Sequence, residues 1–199
     1  MSDKKEWLVA GLGNPGKQYE RTKHNVGFWA IDIIAKRLNI SCDIVQFHSC
    51  WGKGTIKNQH IKVIKPQTFM NLSGQGIIAF MSHWRIDPER LIVIHDDMDI
   101  AAGSVRICQN RGPGGHKGVE SIISSLGTHD FIRIRIGIGH PQKKDDPKEY
   151  VLSFFEDSEK QRLDYIIQKS YEMIFTIIVN GLQIAMNRYN NLCFHEPDS

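Results

Sequence analysis

The clearest indication of the fold is the run Leu91-Ile-Val-Ile-His-Asp-Asp-Met-Asp99, in which four successive apolar residues lead directly into polar and charged ones. A continuous apolar run of this length is typical of a strand covered on both faces, as in the middle of a largely parallel sheet. It predicts a central strand over Leu91–His95 with Asp96 at its carboxyl end. Ligands bind outside that edge of an α/β sheet, so the same stretch predicts where a functional site lies.

Strands and helices alternate on both sides of this stretch. Helices are predicted over Val26–Leu38 with Asn25 as N-cap, Ser73–Trp84, about Lys117–Leu126, Ser158 to about Val179 with a capping box at Ser158–Gln161, and from Gly181 to about Arg188. Further strands are predicted over Trp7–Leu12, Ser104–Cys108 and Phe131–Gly139, and two or three over Asp43–Lys65 with turns at Gly52–Gly54 and Lys57–Gln59.

This order of elements predicts a three-layer α/β/α fold with a twisted, mixed central sheet and C-terminal helices. A chain of 199 residues can bury a core of its own, so residues 1–199 are expected to form a single domain with a frayed tail over residues 193–199. The scattered cysteines, and the lack of any stretch that resembles a signal peptide or a membrane span, lead us to expect a cytoplasmic protein. A net charge of +3 permits contact with a polyanion but does not demand it.

Four polar clusters, each at the end of an apolar run, carry the residues suited to chemistry. Polar groups gathered from several strand ends indicate one composite site, which favours an enzyme over a scaffold. The clusters are Gly11-Leu-Gly-Asn-Pro-Gly16 with Thr22-Lys-His-Asn25, Lys65-Pro-Gln-Thr-Phe-Met-Asn71, His95-Asp-Asp-Met-Asp99 and Gly112-Pro-Gly-Gly-His-Lys-Gly118.

His24 and Asp96 are the candidate general base and its partner. A carboxylate at the end of a buried strand is costly unless it is paired or functional. A histidine backed by such a carboxylate is the arrangement for a general base, because the carboxylate fixes the tautomer and stabilises the imidazolium. The chain has no G-x-S-x-G elbow and no serine or cysteine in a catalytic spacing, so activated water is the simplest nucleophile and the pattern indicates hydrolysis.

The remaining clusters supply candidate binding groups. Asn14 and Asn71 are neutral amides that can orient a substrate and stabilise an oxyanion without changing the charge of the site. The Gly112–Gly118 cluster leads into a helix, and such a backbone can approach an anion such as phosphate closely.

Two alternatives stay open from the residues alone. A metal held by His24, Asp96 and His116 could activate water, although no H-E-x-x-H motif or close ligand pair is present. Gly11–Gly16 matches the G-x-G-x-x-G pattern of dinucleotide sites letter for letter. Its Pro-Gly turn, and the position of Asp32 in the middle of a helix, argue against that function.

Taken together, the four clusters in this order and at this spacing resemble the bacterial-type peptidyl-tRNA hydrolases. The similarity covers nearly the whole chain and includes Phe131-Ile-Arg-Ile-Arg-Ile-Gly-Ile-Gly-His-Pro141. It implies an enzyme that cleaves the ester joining a peptide to the 3′ ribose of tRNA. It also implies a monomer that binds peptidyl-tRNA and needs no metal, other cofactor or protein partner.

The resemblance further implies roles for individual residues. His24 is then the general base, Asp96 its partner, and Asn14 and Asn71 position the peptide end and the carbonyl or water. The implied set for substrate and tRNA is Tyr19, Phe69, Met70, Asn71, His116, Lys117, Arg135, Lys143 and Lys144, with Arg106 and Arg111 as weaker candidates.

Two positions depart from the pattern of the family. Lys117 stands where the family usually has a substrate-binding asparagine, and a lysine there could meet a phosphate near the 3′ end instead. Lys23 stands where arginine is commoner, a change expected to matter little. The alternative function is that of a catalytically silent RNA-binding or splicing-partner relative. The presence of His24, Asp96, Asn14 and Asn71 together favours the enzyme.

Overall fold

The apolar run Leu91–Ile94 lies in a central strand of the sheet. In the computed structural model, which describes residues 6–141 and 146–192, this strand spans Leu91–Asp97 and has a parallel neighbour on each side. The described strands are β1 Glu6–Gly11, β2 Ile44–Gln46, β3 Ser49–Ile56, β4 Gln59–Pro66, β5 Leu91–Asp97, β6 Val105–Gln109 and β7 Ile132–Gly137. They form one sheet in the order β2-β3-β4-β1-β5-β7-β6.

The sheet is mixed, as expected. Strands β4, β1, β5 and β7 are parallel, whereas β2, β3 and β6 each run antiparallel to a neighbour. Three of the polar clusters follow β1, β4 and β5, and the parallel register brings the carboxyl ends of these strands to the same edge. This edge carries the candidate site.

The glycine-rich fourth cluster reaches that edge by a different route. Because β6 runs antiparallel to β7, β6 ends at the opposite edge of the sheet, and residues 110–116 lead back across it. Arg133 on β7, itself buried, donates from Nη1 to the Gly112 carbonyl oxygen at 3.0 Å. This bond fastens the returning loop against the sheet.

The helices cover both faces of the sheet and complete the predicted three-layer architecture. Alternation along the strands sends Val9, Ile92 and Ile94 into one core with α1, α5, α6 and α7, and Leu8, Leu91 and Val93 into another with α2 and α3. The described helices are α1 Val26–Leu38, α2 Ser73–Trp84, α3 Lys117–Leu126, α4 Pro147–Leu152, α5 Asp157–Gln168, α6 Ser170–Asn180 and α7 Leu182–Tyr189. Over residues 6–141 and 146–192, none of them combines the length and hydropathy that a membrane span requires.

Of the two turns predicted in this region, one is wrong and the other is confirmed. The Gly52–Gly54 turn lies inside β3, where a Cβ atom on Gly52 would overlap the Ser41 carbonyl oxygen. These glycines therefore admit a neighbouring segment rather than reverse the chain. The turn after Lys57 is confirmed, because β3 ends at Ile56 and β4 begins at Gln59.

The C-terminal helical region also differs from prediction. The capping box that opens α5 is formed by Glu156 and Glu159 and not by Ser158–Gln161. The expected single helix to about Val179 is divided after Gln168, where the Lys169 amide bonds the Ile166 carbonyl in a 3₁₀-type turn. The expected tail over residues 193–199 lies outside the described residues.

Candidate active site

The close approach of α1 to the sheet brings His24 to the end of β5. His24 lies in the 3₁₀ turn Lys23–Asn25 that leads into α1. A Cβ atom on Gly27 would overlap the backbone at Leu12 and Ile94, and one on Gly11 would overlap the Gly27 carbonyl oxygen. The two glycines therefore let the first turn of α1 rest directly on β1 and β5.

The Asp96 carboxylate accepts hydrogen bonds from two histidines through a single oxygen. His24 Nδ1 lies 2.8 Å from Asp96 Oδ1, and His116 Nε2 lies 3.0 Å from the same atom. Burial by itself would raise the pKa of Asp96, but the interactions with His24 and His116 outweigh it and hold the pKa well below its ordinary range. The carboxylate is therefore ionised at neutral pH.

The tautomer of His116 follows from its second role as the N-cap of α3. Its Nδ1 accepts hydrogen bonds from the amides of Gly118 at 3.1 Å and Val119 at 3.3 Å. An imidazole nitrogen that accepts is unprotonated, so the proton of neutral His116 is on Nε2, which donates it to Asp96. His116 thus fixes one side of the carboxylate and leaves His24 on the other.

This tautomer bears on the hypothesis of a metal site. His24, Asp96 and His116 place one potential ligand atom each within 4.8 Å of one another. Ligation through His116 Nε2 needs a lone pair on that atom, which would move the proton to Nδ1 and against the two amide donors. The donor set therefore fits two N–H groups on a carboxylate better than three metal ligands.

The protonation of His24 is controlled by Asp96. Burial of the ring disfavours the imidazolium, but the charge of Asp96 and its hydrogen bond more than offset this and raise the pKa of His24 above its ordinary value. Because Nδ1 donates to Asp96, the neutral ring has its lone pair on Nε2. This is the arrangement of a base that accepts a proton and keeps the resulting charge stable.

His95 belongs to the same cluster, although the sequence reasoning did not assign it a role. Its Nδ1 donates to the main-chain oxygen of Asp96 at 2.6 Å, and its ring meets that of His116 edge to face with centroids 4.6 Å apart. Complete burial, with the neighbouring His116 and Arg133, keeps the pKa of His95 well below its ordinary value. His95 is therefore neutral and holds the main chain of Asp96 through this hydrogen bond.

The Asn14 amide has its orientation set by the backbone. Its oxygen accepts from the Met70 amide at 2.8 Å, which leaves Nδ2 as a donor toward the cleft that Asn14 lines. The main chain of Asn14 is held by Asn25, which accepts through Oδ1 at 2.8 Å and donates through Nδ2 at 3.0 Å. Asn25 therefore stands at the predicted N-cap position, but its side chain joins two loops and does not cap α1.

An open cleft of about 720 Å³ brings together most of the predicted site residues. Asn71 and Phe69 are exposed in it, and 56% of the surface of Phe69 is accessible. The predicted residues that line the cleft are Asn14, Tyr19, His24, Phe69, Met70, Asn71, Asp96, His116 and Lys117.

Among the predicted residues that the structure describes, Arg135 does not line this cleft. Arg135 Nε donates to Asp97 Oδ2 at 2.7 Å on the neighbouring strand, and although burial opposes it, this bond raises the pKa of the guanidinium. Lys143 and Lys144 lie outside the described residues. The weaker candidates Arg106 and Arg111 are exposed, and Arg106 pairs in register with Arg135.

One wall of the cleft was missed by the sequence reasoning. Helix α4 contributes Lys148, Val151 and Leu152 to the lining, in a region where no helix was predicted. The signal was present, because Asp146 followed by Pro147 is a typical helix start, and the Asp146 side chain accepts from the Lys148 amide at 2.9 Å.

Comparison with known proteins gives a consistent result. The sequence model of the family described as Peptidyl-tRNA hydrolase matches residues 8–197. A protein named peptidyl-tRNA hydrolase from Caldanaerobacter subterraneus subsp. tengcongensis is 43% identical over 184 residues, which covers 92% of this chain and 99% of the relative. One of the same name from Chloroflexus aurantiacus is 42% identical over 94% of this chain and 100% of its own. The crystal structure of peptidyl-tRNA hydrolase from Acinetobacter baumannii superposes with a TM-score of 0.90 at 33% identity, over 96% of this chain and 97% of that one.

Proposed function

The chain belongs to the peptidyl-tRNA hydrolase family, and we propose that it hydrolyses the ester bond between a peptide, or an N-blocked amino acid, and the 3′ ribose of tRNA. The observation that carries this proposal is the His24–Asp96 pair in an open cleft, with the Asn14 amide in the same lining. A base held by a carboxylate, together with a neutral amide donor, suits the attack of water on an ester. The reaction recovers tRNA from peptidyl-tRNA that has left the ribosome.

In the proposed reaction His24 is the general base. Its Nε2 takes a proton from water while the water oxygen bonds to the carbonyl carbon of the ester. The tetrahedral intermediate then collapses as the bond from that carbon to the 3′ oxygen breaks, and Nε2 returns the proton to this oxygen. The products are a free peptide acid and tRNA with a 3′ hydroxyl group.

Asp96 acts through His24 and not as a proton acceptor. Its low pKa keeps it ionised throughout the cycle, so its charge stabilises the imidazolium that forms when His24 takes the proton. The hydrogen bond from His116 Nε2 holds the carboxylate in the orientation that His24 requires.

Asn14 and Asn71 supply the neutral donors of the proposed site. Asn14 presents Nδ2 because its oxygen is engaged by Met70, and a donor held in advance in this way stabilises the developing oxyanion without reorganisation. Asn71 is exposed in the same cleft, where it can hold the peptide end or the attacking water.

The proposed substrate contacts divide by chemistry. Tyr19, Phe69 and Met70 offer apolar surface to the peptide end. The exposed Lys117 faces the cleft and pairs only loosely with Glu120, since an exposed ion pair contributes about 0–1 kcal/mol, so it is available to a phosphate near the 3′ end. The tRNA phosphates beyond the cleft are assigned to Arg135, Lys143 and Lys144.

We further propose that the protein acts in the cytoplasm as a monomer, without a protein partner, metal or other cofactor. Cys42, Cys50 and Cys108 are free thiols in the described part of the chain, which suits a reducing compartment. The His116 tautomer supports chemistry that depends on a base and not on a metal.

The test is release of N-acetyl-amino acid from N-acetyl-aminoacyl-tRNA in the presence of EDTA. Wild-type protein is expected to turn over, whereas H24A should lose activity by about 10²-fold or more, because general-base catalysis is worth about 10²–10⁴-fold. H129A is the matched control, since His129 is exposed and is not among the residues that line the cleft. The affinity of H24A for tRNA should be unchanged.

Other outcomes separate the alternatives. If the wild type binds tRNA without hydrolysing the ester, the chain is an RNA-binding protein and the proposed enzymatic function is wrong. Loss of wild-type activity in EDTA, restored by a divalent metal, would contradict the metal-free mechanism.

A further inference from the structure

Lys23, the residue before His24, carries a buried positive charge that the reaction scheme does not use. Its side chain is only 4% exposed, and Nζ lies 2.7 Å from Glu159 Oε2. The same ammonium lies 4.6 Å from the ring centroids of both Tyr150 and Phe155. The carboxylate and the two aromatic rings thus take the place of water around the buried ammonium.

The partners of Lys23 belong to three successive parts of the chain. Tyr150 is in α4, Phe155 follows it, and Glu159 is in the first turn of α5. The backbone adds two further connections, because the Lys23 amide donates to the Ser153 carbonyl at 3.0 Å and Thr22 forms a β-bridge with Phe154. The turn that carries His24 is therefore fastened to the whole segment from α4 to α5.

Helix α4, Pro147–Leu152, forms one wall of the cleft, and we call it the α4 wall. Its residues Val151 and Leu152 line the cleft together with His24. Tyr150, on the same helix, is not among the lining residues and instead donates from its hydroxyl to the Ile138 carbonyl at 2.7 Å, at the end of β7. A six-residue helix has little stability of its own, so its placement depends on such anchors.

We propose that Lys23 is a positioning residue of the reaction, which holds the α4 wall at a fixed distance from His24 and so shapes the cleft for the peptide end of the substrate. The inference rests on the proposed function for the identity of that substrate. Lys23 itself does not touch the substrate, because it lies outside the lining of the cleft. Its effect passes through Tyr150 and Phe155 on one side and through the adjacent His24 turn on the other.

The chain contains a matched lysine that serves as a control. Lys62 is also only 4% exposed, pairs with the carboxylate of Glu6, and lies 3.8 Å from the ring centroid of Trp84. Its surroundings thus repeat the carboxylate and aromatic partners of Lys23, but Lys62, Glu6 and Trp84 are all absent from the lining of the cleft. Loss of either charge should affect folding, whereas only Lys23 is connected to the wall.

The experiment compares K23M and K62M in steady-state hydrolysis of N-acetyl-aminoacyl-tRNA, with thermal unfolding measured alongside. Wall contacts made equally in the ground state and the transition state affect KM and leave kcat unchanged, so K23M is expected to raise KM about tenfold with kcat within about twofold. K62M should leave KM unchanged even if its melting temperature falls by as much as that of K23M. K23R should restore KM, because arginine keeps the charge and stacks on aromatic rings.

The results that overturn the inference are distinct from those that overturn the proposed function. If the wild type hydrolyses the substrate while K23M keeps its KM, or if K62M raises KM to the same extent, Lys23 does not position the wall. Absence of wild-type turnover would instead reject the proposed function. Should K23M fail to fold, the double variant K23M/E159Q removes both charges and leaves no unpaired carboxylate, and its KM decides the matter.

Discussion

At the scale of single residues, the site depends on one carboxylate oxygen with two donors. Asp96 Oδ1 accepts from His24 and from His116, and the second of these is committed to its tautomer by the amides at the start of α3. Because those amides engage the Nδ1 lone pair of His116, His24 is the ring beside Asp96 that can take up a proton. The same charge raises the pKa of His24 despite the burial of the ring.

This arrangement predicts the pH dependence of the reaction. A base is active when unprotonated, so kcat/KM should fall as pH decreases through a value above 6.5, the ordinary pKa of histidine. In D96N the burial of His24 persists without the opposing charge. The acid limb of the profile should therefore move to lower pH, and the maximal rate should fall by about 10²–10⁴-fold.

The measurement is kcat/KM against pH for the wild type, D96N and D164N, where Asp164 is an exposed residue of α5 that provides the control. An acid limb at the same pH in wild type and D96N would show that the carboxylate does not set the charge of His24.

At the scale of secondary-structure elements, the close packing of α1 on the sheet determines whether His24 lies within hydrogen-bond distance of Asp96. Gly27 faces the backbone of Leu12 and Ile94, and backbone atoms cannot turn aside as side chains do. The helix can therefore approach β1 and β5 only where both facing residues, Gly11 and Gly27, lack a Cβ atom. The position of His24 is a consequence of that contact.

Substitution G27A should accordingly separate α1 from the sheet. Overpacking of this kind costs about 1–3 kcal/mol, and the displaced His24 should also reduce kcat. G112A is the matched control, because a Cβ atom on Gly112 meets nothing within 4 Å and should change the unfolding free energy by less than about 0.5 kcal/mol. Urea unfolding and kcat are measured for both variants. If G27A keeps the wild-type unfolding free energy and the wild-type kcat, the space between α1 and the sheet accommodates a methyl group and the prediction is wrong.

At the scale of the whole molecule, the buried histidines and Asp96 make stability depend on pH with opposing signs. His24, with a raised pKa, contributes stability that is complete below pH 6.5 and is lost as pH rises through its folded-state pKa. His95, with a pKa well below 6.5, has the opposite effect, because the unfolded chain binds a proton that the folded protein excludes. Asp96 contributes stability above pH 3.8 that is lost as pH falls below that value.

Below pH 6.5 the contribution of His24 is complete, and of the two histidines only His95 still changes the balance, so we expect the unfolding free energy to decrease as pH falls below 6.5. H95N should reduce this decrease, because the asparagine amide can still donate to the Asp96 carbonyl but does not titrate. H129N, at an exposed histidine, is the control. The check is urea unfolding of the three proteins at neutral pH and at about pH 5; equal losses in all three would exclude His95 as the cause.

Features whose physical cause is local could be predicted from the order of residues alone. Helices α1, α2 and α3 have the predicted bounds because apolar residues at a spacing of three and four define one buried face. The central strand follows from a run too apolar to face water. The family follows from four clusters whose order and spacing are read along the chain, and the match over residues 8–197 confirms it.

Contacts that join distant parts of the chain could not be predicted in this way and are known from the folded molecule. His24 and Asp96 are 72 residues apart, and Lys23 and Glu159 are 136 residues apart, so no periodicity relates them. The N-cap role of His116, the α4 wall and the glycines of β3 likewise depend on which segments become neighbours. Burial then strengthens the electrostatic interactions at those contacts, because a charge removed from water interacts strongly with the partner that the fold places beside it.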